Sequence, residues 1–133
     1  MKTVSVVCIG GANLDKKAKC EKIVFKTSNI AQFFESPGGV ARNVAENLAR
    51  LGADVKLMTF LGYDCEGDFL LLHAKKSGIE TSLSERIKEC KTGTYTAVLD
   101  KSGELQFALA DMTIYNNIQF DSIARKWDQI KGA

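Results

Sequence analysis

A chain of 133 residues, 45% hydrophobic and 26% charged, is long enough for one packed domain and too short for two. Eighteen Lys and Arg against sixteen Asp and Glu leave a net charge of +2, which excludes both a disordered tract and the basic excess that makes nucleic acid a default partner. No apolar run approaches the ~20 residues that cross a bilayer, and Val4 to Ile9 after Met1-Lys2 resembles a signal peptide but lacks its length and small-residue cleavage site, so a cytoplasmic protein with no membrane partner is expected.

In chain order, Val4-Ser5-Val6-Val7-Cys8-Ile9 is β-branched and nearly continuous in apolar character, the pattern of a central strand buried on both faces of a parallel sheet. Gly10-Gly11 ends it, and Ala12-Asn13-Leu14-Asp15 reads as a loop at its carboxyl end, the edge where open α/β sheets bind ligands. Ile23-Val24-Phe25 and Ile30-Ala31-Gln32-Phe33-Phe34, split by Thr27-Ser28-Asn29, predict a hairpin lying off the main sheet. Ser36-Pro37-Gly38-Gly39 then precedes a helix with Val40, Val44, Leu48 and Leu51 at helical spacing, Ala41, Ala45 and Ala49 widening the stripe, and Gly52 as the stop. Residues 54–61 read as the next strand of a βαβ unit, and residues 66–76 as a second helix closed by Ser77-Gly78. Two-residue alternation returns in residues 94–99 and 104–109 around Asp100-Lys101-Ser102-Gly103, a second hairpin. Residues 120–130 predict a last helix.

Common catalytic patterns are absent. Cys8, Cys20, Cys65 and Cys90 form no C-x-x-C pair, so a zinc site is not expected and reduced thiols are, with Cys8 a small hydrophobe inside its strand. The lone histidine, His73, falls in an amphipathic helical run and reads as a packing residue rather than a base. There is no G-x-x-x-x-G-K-[ST] phosphate loop, no dinucleotide fingerprint and no protein-kinase glycine loop.

What remains is Pro37-Gly38-Gly39-Val40-Ala41-Arg42-Asn43-Val44-Ala45, with Gly52 and Gly62 behind it. This run resembles the amino-terminal signature of the ribokinase-like, or PfkB, carbohydrate kinases. Gly10-Gly11-Ala12-Asn13-Leu14-Asp15 is similar to the first-strand substrate loop of that family, and Leu61-Gly62-Tyr63-Asp64 with Gly67 to its next turn. Residues 36–49 and Ala110-Asp111-Met112 resemble the pseudouridine-kinase branch most closely. The resemblance implies a three-layer α/β/α fold, a mostly parallel sheet plus a β-hairpin lid, incomplete in this chain. Residues 1–133 would be the N-terminal substrate-binding part of a single domain, with lid segments at about 17–35 and 86–110 and the nucleotide-binding half absent.

The implied activity is transfer of the ATP γ-phosphate to a sugar or nucleoside hydroxyl, pseudouridine first, with ribokinase, adenosine kinase and ketodeoxygluconate kinase activities open. Substrate contacts are expected from Asn13, Asp15, Gly38, Gly39, Asn43 and Thr94, with Tyr95 beside Thr94 also placed to face the ligand and ordinary cross-strand pairing an equal reading of these two. A carboxylate accepts from vicinal hydroxyls, an amide donates and accepts, and glycines bring backbone N–H groups near a sugar oxygen. Taken singly, these residues read more readily as turn or cap chemistry; together, at family spacing, they read as a sugar site.

The family's aspartate base and anion hole lie in a Gly-Ala-Gly-Asp segment that this sequence does not contain. No catalytic residue and no ATP or Mg2+ site is therefore expected within it, and the chain alone is expected to be inactive. A sheet stopped here would leave residues 4–9 and 55–61 uncovered and prone to association. The lid implies a homodimer partner. A non-catalytic sugar-binding or lid-dimerisation module is the alternative.

Overall fold

A computed structural model describes residues 4–133; of the signal-like stretch, Met1-Lys2 lies outside them. The order is β1 (Ser5–Ile9), β2 (Asn13–Cys20), β3 (Ala31–Gly38), α1 (Val40–Arg50), β4 (Asp54–Met58), β5 (Phe60–Gly62), α2 (Cys65–Lys76), β6 (Ile79–Glu80), β7 (Glu85–Ile87), β8 (Thr94–Leu99) and β9 (Leu105–Asp111). A 3-10 turn (Thr113–Asn117), α3 (Phe120–Ala124) and α4 (Trp127–Ile130) follow. Strands β1, β4 and β6 form a parallel sheet in the order β1-β4-β6, β5 and β7 a parallel pair, and β3-β2-β8-β9 a four-stranded sheet projecting from them. The fold is α/β with mostly parallel pairing in its body.

The core lies where α1 and α2 meet one face of the body sheet, through Cys8, Val55, Leu57, Ile79, Ala45, Leu70 and Ala74. Alternate residues of β4 reach this face, as strand pleating requires. Ala41, Leu48 and Ala49 of α1 pack beside it. The expected stripe is thus only partly buried: Val40 and Leu51 are 80% and 83% exposed and Val44 is exposed, whereas Arg42, Ala45 and Glu46 are buried. Alanine explains the rotation, because its small side chain lets the helix close on the β1–β2 turn, where a Cβ on Gly10 would come within 3.0 Å of the Ala41 Cβ.

Further expectations are corrected. β1 is an edge strand among the described residues, paired only with β4, so a central position is not what these residues build. Its outer edge lines a groove with Val40 and Val44, while Val55, Leu57, Met58, Phe60 and Leu61 are buried rather than uncovered. The strand expected over 54–61 divides at Thr59, where the chain changes partner from β6 to β7; the Glu85 N–H donates to the Thr59 carbonyl (3.0 Å) and Ser84 Oγ to the Leu57 carbonyl (2.7 Å).

The first hairpin uses β2 and β3, not residues 23–25. Asn29 bridges both backbone groups of Val24 and Lys26 is left-handed, which makes that stretch a closed loop. Strand β2 hid behind its lysines, but Leu14, Ala18 and Cys20 are buried at alternate positions. The last helix breaks into α3 and α4 at Lys126, whose Nζ reaches the Leu83 carbonyl (2.8 Å) and Glu85 (3.2 Å).

Candidate substrate site

Strand β2 starts where β1 ends, so Asn13 and Asp15 stand at the carboxyl edge of the body sheet while belonging to the projecting sheet. Asn13 is buried, and its Nδ2 donates to Asp15 Oδ1 at 2.6 Å, which fixes the carboxylate and leaves its other oxygen free to accept from a ligand hydroxyl. Asn13 faces Gly38 across the antiparallel β2–β3 ladder. A Cβ on Gly38 would run into the Asp15 carboxylate, so glycine is needed for Asp15 to lie where it does.

Gly39 has φ +98°, and a Cβ there would collide with the backbone of Gly11 and Ala12. The room beside this glycine is occupied by the chain's own turn, and the Arg42 N–H in the first turn of α1 donates to the Gly11 carbonyl at 3.2 Å. Gly39 therefore seats the helix start against the β1–β2 turn.

Asn43 is exposed one turn into α1, and its Oδ1 accepts from Arg42 Nη2 at 2.7 Å. That contact orients the amide so that its Nδ2 is the group left to donate. Arg42 is itself held by Glu46 at 2.7 Å and lies 3.3 Å from His73 Nδ1 on α2. Burial works to raise the Glu46 carboxyl, but the hydrogen bond and charge of Arg42, with Arg50 and His73, outweigh it and hold the carboxyl below its ordinary range. His73 is a packing partner here, also touching Phe69 and Ser77.

Thr94 is the exception among the expected contacts. In the parallel β2–β8 ladder it is level with Leu14, so it shares the face opposite Asn13 and Asp15. Tyr95, level with Asp15, occupies the site's face instead. The reason is register, since a one-residue offset exchanges faces.

Tyr115, in the 3-10 turn after β9, carried no motif and was not anticipated. Its hydroxyl donates to the Ala12 carbonyl, its ring lies against Gly11, and a Cβ on Gly93 would meet it at 2.7 Å. It joins the β1–β2 turn to the segment leading into β8. Burial pushes its hydroxyl up to about 12, and the charge of Asp15 adds to the rise. An aromatic residue four positions beyond Asp111 was the available signal.

Asp64 anchors the same entrance from below. It caps α2 by accepting from the Gly67 N–H (2.9 Å) and also takes the Thr92 N–H (2.8 Å) and hydroxyl (2.5 Å). Burial raises the Asp64 carboxyl, but the Thr92 and Gly67 bonds with the charge of Lys91 bring it below the usual carboxylate range. Among the described residues no group of three or more His, Cys, Asp and Glu is placed to hold a metal ion, and no helix is long and apolar enough to cross a membrane.

Comparison with known proteins matches residues 3–131 to the family described as pfkB family carbohydrate kinase. The chain is 35% identical over 129 residues to the pseudouridine kinase of Escherichia coli, covering 96% of this chain and 41% of that enzyme. A carbohydrate kinase structure from Agrobacterium tumefaciens superposes with a TM-score of 0.84 at 30% identity, over 91% of this chain and 39% of that one. A fructokinase from Xylella fastidiosa with bound ATP matches at a TM-score of 0.68 and 28% identity, over 84% of this chain and 34% of that one. The chain thus spans about two fifths of the length of such relatives.

Proposed function

Since the chain belongs to the pfkB family of carbohydrate kinases, we propose that it is the substrate-and-lid portion of an enzyme that transfers the ATP γ-phosphate to a nucleoside hydroxyl, with pseudouridine the substrate and its 5′-hydroxyl the acceptor. The observation that carries this is the Asn13–Asp15 pair, bonded at 2.6 Å and facing the same side as Gly38 beside the start of α1. Asp15 accepts from the vicinal hydroxyls of a ribosyl group, Asn13 holds that carboxylate in place, and Asn43 donates from the helix. Such desolvated hydroxyl recognition discriminates strongly, because a ligand lacking the hydroxyl leaves a buried partner unpaired. The likeness to the Escherichia coli pseudouridine kinase supports the choice of nucleoside.

The projecting sheet β3-β2-β8-β9 is the lid in this reading. Closing it over the sugar excludes water from phosphoryl transfer. Its face away from Asp15 carries Phe33 and Leu109, 68% and 67% exposed, with Phe107 beside them, and an apolar surface of that kind supports pairing with the lid of a second copy. MgATP supplies the phosphoryl group when bound. In this reading the chain's own contribution is to bind and orient the acceptor. A cytoplasmic location accords with a phosphorylated nucleoside product.

A thermal-shift panel of pseudouridine, uridine, adenosine, ribose and fructose on the chain tests the reading, since ligand bound to the native state raises apparent stability. Ribosyl ligands are expected to stabilise it and Asp15→Ala to abolish their effect. Equal shifts in the variant refute the ribose site. ATP consumption with pseudouridine is expected to be absent for these 133 residues alone, and robust turnover refutes the assignment of chemistry elsewhere.

A further inference from the structure

The guanidinium that steadies Asn43 is also held from the second helix. Arg42 is 5% exposed, and the contacts of its Nη2 both lie on α1, with Asn43 Oδ1 and Glu46 Oε2 at 2.7 Å each. Its Nη1 reaches across to Nδ1 of His73 on α2, at 3.3 Å. Its Nε is buried without a hydrogen-bond partner. A guanidinium is a flat fork of five donors with no acceptor, so its contacts turn it as one body. With Nε already unpaired, loss of the His73 contact strands a second edge of a buried cation, and rotation toward water, away from Asn43, relieves it.

The same contact fixes the imidazole. Arginine cannot accept, so Nδ1 must, and the proton of the neutral ring sits on Nε2. Ser77 Oγ lies 3.5 Å from the same nitrogen and has a hydroxyl proton to offer it. On its own helix the ring packs beside Phe69, with centroids 6.3 Å apart. The charged groups that meet His73 come from α1: Arg42 directly, Glu46 through its charge, and Arg50 by way of Glu46.

We propose that His73 is a positioning residue for substrate binding, its neutral Nδ1 holding Arg42 so that the Asn43 amide presents its N–H to the ligand, and that protonation of the ring releases this hold. The inference rests on the ribose site proposed above and adds a pH-dependent control of that site. Protonation turns Nδ1 from acceptor to donor and sets a second cation against the guanidinium, while the new charge draws Glu46 away from Arg42. Glu46 is not the group that titrates. Burial works to raise its carboxyl, but Arg42, Arg50 and His73 hold it below the ordinary range, so it stays charged where histidine gains its proton.

His73 is the only histidine of the chain, so its ring nitrogens give a single set of resonances in long-range proton–nitrogen correlation spectra. Recording these together with calorimetric affinities for pseudouridine and ribose, between about pH 5 and 8 where histidine changes charge, tests the proposal. The neutral ring is expected to carry its proton on Nε2, and affinity is expected to fall about fivefold along the ring's own protonation curve, as loss of one oriented hydrogen bond provides. His73→Gln, whose side-chain oxygen accepts without titrating, should keep the higher affinity throughout, and His73→Leu should show the lower affinity throughout. A proton on Nδ1 of the neutral ring, an affinity unchanged as the ring protonates, or a fall that survives in His73→Gln overturns the positioning role and leaves the ribose site standing. Affinity that Asn43→Ala leaves unchanged overturns it as well, by removing Asn43 from the site. Binding of neither ligand, or binding indifferent to Asp15→Ala, overturns the ribose site and this inference with it.

Discussion

Glu46→Ala isolates the interaction that holds Asn43 in its orientation. Arg42 and Glu46 meet at 2.7 Å with side chains 6% and 11% exposed, so the alanine variant strands a guanidinium in a site with little water. Breaking a buried pair this way costs about 3–5 kcal/mol. Arg42 keeps the Asn43 carbonyl oxygen at 2.7 Å and His73 Nδ1 at 3.3 Å, which places the expected loss at the low end, about 3 kcal/mol. The second partner of Glu46, Arg50, is 71% exposed and adds little to that figure. Urea unfolding followed by circular dichroism reads the loss as a lower midpoint at unchanged slope. The double variant Arg42→Met/Glu46→Leu removes both charges and is expected within about 1 kcal/mol of the parent, because replacing a buried pair by apolar groups is near neutral. A cost below about 1 kcal/mol for Glu46→Ala, or a double variant no more stable than the single one, refutes the view of this pair as desolvated and mutually dependent.

Gly39→Ala is expected to destabilise by more than the about 1–3 kcal/mol of a strained backbone conformation, since its Cβ also meets the Gly11 backbone; a variant with the parent's unfolding midpoint refutes that account. Asp64, whose carboxyl is lowered in the fold, contributes stability that is present above its unfolded value near 3.8 and lost as pH falls through its folded one. Asp64→Asn should therefore flatten the acid limb of an unfolding titration below about pH 4. Tyr115 is raised from 10.0 to about 12, so stability should fall as pH climbs through that interval. Tyr115→Phe should lose the highest phenolate absorbance step and that alkaline decline together, at a cost of about 1–2 kcal/mol near neutrality for the unpaired Ala12 carbonyl.

Local spacing was enough for much of this molecule. Helices α1 and α2 and the β8–β9 hairpin are written in periodicities of 3.6 and 2, which report which residues of one element share a face, and strand β1 in a nearly continuous apolar run ended by glycines. Asn13, Asp15, Gly38 and Gly39 were singled out by resemblance to a family signature rather than by periodicity, for Gly38 answers to Asp15 across the β2–β3 ladder and Gly39 to the Gly11 backbone, both far away in the chain. Periodicity does not say what a face will meet. Val40, Val44 and Leu51 form a helical stripe in the sequence, yet the alanines beside them went to the sheet, because only a small side chain permits the close approach at Gly10.

Tertiary structure alone decided that β1 is an edge among the described residues, that β2 is a strand despite its lysines, and that Tyr95 rather than Thr94 joins Asp15. Each depends on register or pairing between segments far apart in the chain, and a shift of one residue reverses the faces without altering composition or period. Tyr115 belongs with them. It acts on Ala12 from 103 residues away, a relation that exists only once β8 and β9 have brought the 3-10 turn back to the β1–β2 junction.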